Sequence, residues 1–170
     1  NAIVAENCKP GDPTWRPSGY SLSIQGYASA TSVAAGEPLT FYVDTEAPVF
    51  TLTIYRAGYY GGADARLVET QADLPGGAQP KCPEDIATGR VSCDNWRASH
   101  TLTVPGDWTS GVYMARFEAA GAYNFTTFVV RDRDDAAPAD LVVQIPVTTY
   151  QAYNNYGGKS LYDFNSGNTN

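Results

Sequence analysis

A series of short runs that alternate apolar and polar residues sets the fold that this chain can adopt. The runs are rich in Thr, Tyr, Phe and Val, and turn residues such as Gly and Pro separate them. They are Ser21–Tyr27, Leu39–Val43, Phe50–Arg56, Thr101–Val104, Gly111–Glu118 and Tyr123–Arg131. Alternation of this kind is typical of strands with one face in a core. Because no long helical period accompanies them, the runs predict an all-β protein, a β-sandwich of the immunoglobulin-like or jelly-roll type.

The alternation also predicts which side chains form the core. In the run Phe50–Arg56, Leu52 and Ile54 share one face, while Thr53 and Tyr55 share the other. The same argument applied to every run predicts these inward-facing side chains: Phe41, Val43, Leu52, Ile54, Leu102, Val104, Tyr113, Phe117, Phe128 and Val130. A hydrophobic fraction of 43% is sufficient for a core in one domain of ordinary size.

Changes in composition divide the chain into four parts. Residues 1–19 contain three prolines and no sustained period, which predicts an extended arm with Ile3, Val4 and Trp15 as its anchors. The sandwich occupies residues 20–133. Residues 134–138 are charged and end in a proline, as a linker does.

The last part, residues 139–170, opens with the apolar run Leu141–Ile145. An unbroken apolar run predicts a strand buried on both faces, and Pro146 ends it because proline lacks the amide hydrogen of a central ladder. We therefore expect the first strand of an α/β domain that is incomplete in this chain. Polar and aromatic residues follow the strand, where open α/β sheets place their ligands.

Charge and hydropathy exclude several classes of partner. The chain has 11 Lys+Arg against 18 Asp+Glu, so its net charge is −7. Nucleic acid and anionic membranes require clustered cations, and neither is expected as a partner. No apolar run has the length of a membrane span.

The cysteines point to an oxidising compartment. Cys82 and Cys93 bracket a loop of hairpin length, and the prediction is a disulfide between them; two free buried thiols are the alternative. Cys8 is left free or available to another chain. Together with the abundance of Asn, Thr and Gly and the scarcity of Lys, this pattern predicts a secreted protein.

Five segments of the chain carry a resemblance to a known family. They begin with NAIVAEN and continue with IQGYASATSVAAGEPLTFYV, IYRAGYYGGADARL, TVPGDWTSGVYMARF and VTTYQAYNNYGGKSLYDFNS. These segments resemble bacterial proteins related to the large (beta) subunit of N,N-dimethylformamidase, in its N-terminal part. The resemblance implies a sandwich followed by a portion similar to class I glutamine amidotransferases. It also implies amide hydrolysis by water activated at a mononuclear iron held by two tyrosines and a glutamate.

The resemblance places one ligand of that iron within this chain, at Tyr150 or Tyr153. The other tyrosine and the glutamate are expected beyond Asn170, so iron belongs to the complete protein and none is expected on this chain alone. A phenol has an ordinary pKa near 10, and only a strongly acidic metal holds it as phenolate. The alternative is that both tyrosines pack at a loop and bond to the backbone.

Three further side chains are candidates for ligand binding. Tyr59 and Tyr60, between glycines, are suited to stacking on a sugar, and the alternative is that they cover the sandwich edge. Lys159, after two glycines, is suited to neutralising an anionic substrate, and the alternative is a solvated surface lysine.

Two functions remain in competition at this point. The first is the N-terminal part of a secreted amidohydrolase, which acts together with the remainder of the parent protein or a companion chain and is not catalytic alone. The second is a non-catalytic extracellular sandwich that binds a surface, a polymer or copies of itself.

Overall fold

The computed structural model describes residues 1–132 and 142–167. Its helices are α1 (Ala2–Asn7) and α2 (Val147–Tyr153), with short 3-10 turns at Tyr60–Gly62, Tyr156–Gly158 and Asp163–Asn165. Its strands are β1 (Ile24–Ala28), β2 (Ser32–Ala34), β3 (Pro38–Thr45), β4 (Val49–Ala57), β5 (Ala65–Pro75), β6 (Glu84–Asp85), β7 (Arg90–Val91), β8 (His100–Thr103), β9 (Gly111–Ala119) and β10 (Ala122–Arg131). The chain forms two compact units, one of Asn1–Gln79 with Arg97–Ala136 and one of Pro80–Trp96 with Ala137–Asn170.

The first unit is built from two sheets. One has five strands in the order β2-β10-β9-β4-β5, and the other has three in the order β1-β3-β8. Neighbouring strands are antiparallel except β2 and β10, which are parallel. The six strands predicted from the alternating runs are all present, and the all-β sandwich is confirmed.

Side chains of both sheets meet in one core. The ring of Phe41 in β3 packs edge-on against Phe117 in β9 and Phe128 in β10, with ring centroids 5.9 and 6.0 Å apart. Gly26 in β1 lets the ring of Phe117 lie close to the backbone of that strand, because a Cβ there would be 2.8 Å from the ring. Every side chain predicted to face inward is buried, so the chosen register is confirmed.

The N-terminal arm differs from its prediction. Ala2–Asn7 form a helix rather than an extended segment, because the Asn1 side chain accepts a hydrogen bond from the Val4 amide and residues such as Ala and Glu favour helix. Ile3 and Val4 are exposed, so their predicted role as anchors is wrong. Trp15 does act as an anchor, since it packs against Tyr55 and Met114 on the outer face of the five-stranded sheet.

The second unit contains the β6–β7 hairpin, α2 and the turns that follow α2. Cys82 and Cys93 form the predicted disulfide across the hairpin loop, and Cys8 is free and exposed.

The strand predicted at Leu141–Ile145 is not formed. Residues 142–146 have no regular structure and Val142 is 91% exposed, while Leu141 and the predicted linker lie outside the described residues. An apolar run becomes a strand only with a hydrogen-bonded partner, and residues 142–146 pair with no strand in the described part of the chain.

Candidate functional site

Tyr150 and Tyr153, one of which is the predicted metal ligand, lie together on α2. They are one helical turn apart, which places them on the same side of the helix. Tyr150 is 51% exposed and Tyr153 is 48% exposed. Neither hydroxyl forms a hydrogen bond with any part of the chain that the structure describes. The two phenol oxygens are therefore available to a ligand.

A cluster of three aromatic rings fixes Tyr153. Its ring centroid lies 4.6 Å from that of Tyr162 and 6.2 Å from that of Phe164, and the latter two are 5.6 Å apart. These contacts restrict the orientation of the Tyr153 ring, although the residue is 48% exposed. Aromatic pairs at such distances add to stability beyond what the burial of their apolar area provides.

Backbone and amide hydrogen bonds hold the end of α2. The Leu161 amide donates to the carbonyl of Ala152 over 3.1 Å, and the side-chain amide of Asn165 donates to the carbonyl of Tyr153. The side-chain amide of Asn155 donates to Asn165 Oδ1 over 3.2 Å. These bonds give hydrogen-bond donors to two carbonyls in the last turn of α2, a helix that has no buried residue.

Lys159 is engaged in an ion pair. Its Nζ lies 2.7 Å from Oε1 of Glu84 in the hairpin, and both side chains are partly exposed. An exposed pair of this kind contributes little to stability but orients both groups. Lys159 thus faces a carboxylate of its own unit.

Tyr59 and Tyr60 separate to opposite environments. Tyr59 is 71% exposed, and its backbone amide donates to the side chain of Asn7. Tyr60 is buried with a positive φ of 42°, and its hydroxyl donates to Glu6 over 3.0 Å while accepting from Arg56 over 2.9 Å. The predicted role in ligand binding therefore rests on Tyr59 alone.

The carboxylate that Tyr60 contacts is buried and lies at the centre of a cluster of charged side chains. Glu6 also pairs with Lys9 and Arg66, each with a nitrogen 2.6 Å from a carboxylate oxygen. Burial by itself raises the pKa of Glu6, but hydrogen bonds from Lys9, Arg66 and Tyr60 outweigh it and lower the pKa to about 2. Sequence reasoning missed this cluster because Glu6 is more than 50 positions from Tyr60 and Arg66 in the chain. The glycine-flanked YY pair was the one signal that pointed to it.

The described residues hold no cluster of the side chains that most often bind metals. No group of three or more His, Cys, Asp or Glu side chains within residues 1–132 and 142–167 is placed to hold a metal ion. The unbonded phenol oxygens of Tyr150 and Tyr153 do suit ferric iron, a hard cation that binds phenolate. Iron therefore fits this donor pair only if further ligands join it.

No helix among the described residues has the length and apolar character that crossing a membrane requires.

Comparison with known proteins identifies the family. A search among curated proteins found no match. Residues 51–170 match the family described as "N,N-dimethylformamidase beta subunit-like, C-terminal". The match covers most of β4, all of β5 to β10, the disulfide loop and α2. It is to the C-terminal part of such subunits, whereas the resemblance of the segments suggested the N-terminal part. The chain belongs to the N,N-dimethylformamidase beta subunit-like family.

Proposed function

We propose that this chain is part of a secreted amidohydrolase of the N,N-dimethylformamidase kind, which hydrolyses a small amide to a carboxylic acid and an amine. In this proposal Tyr150 or Tyr153 binds a mononuclear iron ion, and residues from outside the described part of the chain complete the site. Bound ferric iron supplies Lewis acidity that makes water a nucleophile at neutral pH. The supporting observation is that Tyr150 and Tyr153 on α2 are 51% and 48% exposed and that neither hydroxyl is hydrogen-bonded to the described residues.

Of the two tyrosines, Tyr153 is the better ligand. The rings of Tyr162 and Phe164 fix its orientation, whereas no ring contact of this kind holds Tyr150 among the described residues. A ligand held in place before the metal binds loses less conformational freedom on binding. Tyr150 lies one turn earlier and faces the same side of α2.

The test uses the full parent polypeptide, produced with iron. Phenolate bound to ferric iron gives a charge-transfer band in the visible spectrum, and hydrolysis of N,N-dimethylformamide is followed by dimethylamine release. We expect Tyr153→Phe to remove the band, most of the bound iron and the hydrolysis together. Tyr162→Phe is the matched control, because it keeps the ring cluster and removes a hydroxyl of the same segment.

Two results contradict the proposal. In the first, the wild type, Tyr150→Phe, Tyr153→Phe and the double variant all bind iron and hydrolyse the amide equally well. The other is a folded full-length protein that remains colourless and inactive with iron supplied.

A second function, binding of a polymer through the sandwich, is favoured by the position of Tyr59. Tyr59 is 71% exposed while its backbone amide is held by Asn7, so this loop presents the flat apolar surface of an aromatic ring. Such a ring suits stacking on a sugar.

The polymer-binding function predicts retention on insoluble polysaccharide. We expect Tyr59→Ala to abolish retention in a sedimentation assay and Tyr20→Ala, which removes another exposed tyrosine, to leave it unchanged. Equal retention by both variants would exclude Tyr59 as the binding residue.

A further inference from the structure

We infer that the loop closed by Cys82–Cys93 is the support that positions the tyrosine helix α2, so that opening this disulfide releases the candidate site. The two segments are distant in sequence, yet Pro80–Trp96 and the C-terminal residues form one compact unit. Where it concerns iron, this inference depends on the function proposed above; where it concerns the order of the segment, it does not.

Tyr156, three residues after the end of α2, makes the first contact between the C-terminal residues and the loop closed by Cys82–Cys93. Its ring packs edge-on against Trp96, with centroids 6.2 Å apart, and its hydroxyl lies 3.6 Å from Cys82 Sγ as a hydrogen-bond donor. Trp96 is itself buried and donates from Nε1 to the carbonyl of Pro80 over 3.0 Å. The Tyr156 side chain therefore contacts one sulfur of the disulfide and the tryptophan beyond the other.

The second contact is a close approach of backbone to side chain. Gly157 has φ of 83°, and a Cβ at this position would lie 2.6 Å from Cγ2 of Val91 in β7. Gly158 has a similar φ of 95° but nothing within 4 Å of the corresponding position. Both positions need glycine for their backbone conformation, and only position 157 also needs it for the close contact with the hairpin.

The third contact and two backbone bonds connect the loop to α2. Lys159 pairs with Glu84 on β6, as described above. The Gly158 amide donates to the carbonyl of Asn155 over 2.8 Å, and the Leu161 amide donates back to the carbonyl of Ala152 within α2. A continuous set of contacts therefore runs from the hairpin through the glycine turn to the helix with the tyrosines.

The hairpin itself depends on the disulfide. Its strands β6 and β7 have two residues each, and a two-stranded hairpin of any length is marginal in water. The bond between residues separated by 11 positions restricts the open form of the loop. Without the bond, the surface that receives Tyr156 and Gly157 loses its shape.

A dithiol reductant opens the bond in two steps. Its thiolate attacks Sγ of Cys93, which is less buried than Cys82, so the S–S bond breaks and Cys82 leaves as a thiolate that takes up a proton. The second thiol of the reductant then displaces Cys93, also as a thiol. Two electrons pass to the protein, and the reductant leaves as a cyclic disulfide.

Amide hydrogen exchange read by mass spectrometry tests the inference without iron. In the full chain, we expect reduction by dithiothreitol, or the double change Cys82→Ser with Cys93→Ser, to speed exchange at Gly158 and Leu161 by about tenfold or more. Amides of β4 and β9 report on the sandwich and are expected to keep their protection, which separates local release from unfolding.

The two glycines supply the matched variants. Gly157→Ala should speed exchange at Leu161 much more than Gly158→Ala, and adding Val91→Ala to Gly157→Ala should restore part of the protection. Unchanged exchange after reduction, or equal effects of the two glycine variants, would overturn the inference. Release on reduction in a protein that never shows the iron band supports the inference while the proposed function fails. An iron band in a protein whose exchange does not change on reduction rejects this inference and leaves the proposed function standing.

Discussion

At the scale of single residues, Glu6 shows how a buried charge fastens α1 to the sandwich. It is 3% exposed and accepts hydrogen bonds from Lys9, Arg66 and Tyr60, which lower its pKa to about 2 despite burial. Because the folded pKa lies below the ordinary value, the contribution of Glu6 to stability is present above about pH 5 and is lost as the pH falls toward 2. We expect Glu6→Gln to lower the free energy of unfolding by about 1.5–3 kcal/mol at pH 7.

Urea unfolding of the two proteins between pH 7 and pH 2 measures this difference. The difference in the free energy of unfolding should become smaller as the pH falls. Protonation weakens the ion pairs and hydrogen bonds of Glu6 in the wild type, whereas the neutral Gln side chain of the variant does not titrate. Glu46→Gln is the control, because Glu46 is exposed and forms no ion pair with the described residues. A difference that stays constant with pH would mean that packing, not charge, holds α1.

At the scale of elements, the period of the apolar residues predicts strands whose pairing is regular and misses a strand whose pairing is interrupted. In the predicted strands β4, β9 and β10, the side chains predicted to face inward are all buried, so these strands were placed with the right faces inward. Strand β5 was missed because its pairing with β4 shifts register twice and Asp73 has φ of 55°, so the period of two is lost. Helix α1 is too short to show a helical period.

Some features of the candidate site could likewise be predicted from the sequence, and others could not. The disulfide could be predicted because loop closure depends on the spacing of Cys82 and Cys93 along the chain. The cluster of Tyr60 with Glu6, and the contact of Gly157 with Val91, could not be predicted because each joins residues more than 50 positions apart. The apolar run at 142–145 indicated a strand, but a sequence pattern does not reveal whether a partner strand is available.

At the scale of the whole molecule, stability is concentrated where the two sheets of the sandwich meet. Phe128 is buried there, edge-on to Phe41 and stacked on Tyr113 with centroids 5.6 Å apart. Phe128→Ala removes both ring contacts and leaves a cavity that close-packed neighbours fill only in part. We expect it to lower the free energy of unfolding by about 3–5 kcal/mol.

Phe125 provides the control on the same strand, because it lies on β10 and its side chain is exposed. We expect Phe125→Ala to change the free energy of unfolding by less than about 1 kcal/mol. Urea unfolding followed by tryptophan fluorescence gives both values under one set of conditions. Similar losses from the two variants would show that the inner face of β10 does not carry the stability of the sandwich, because burial would then make no difference between its two faces.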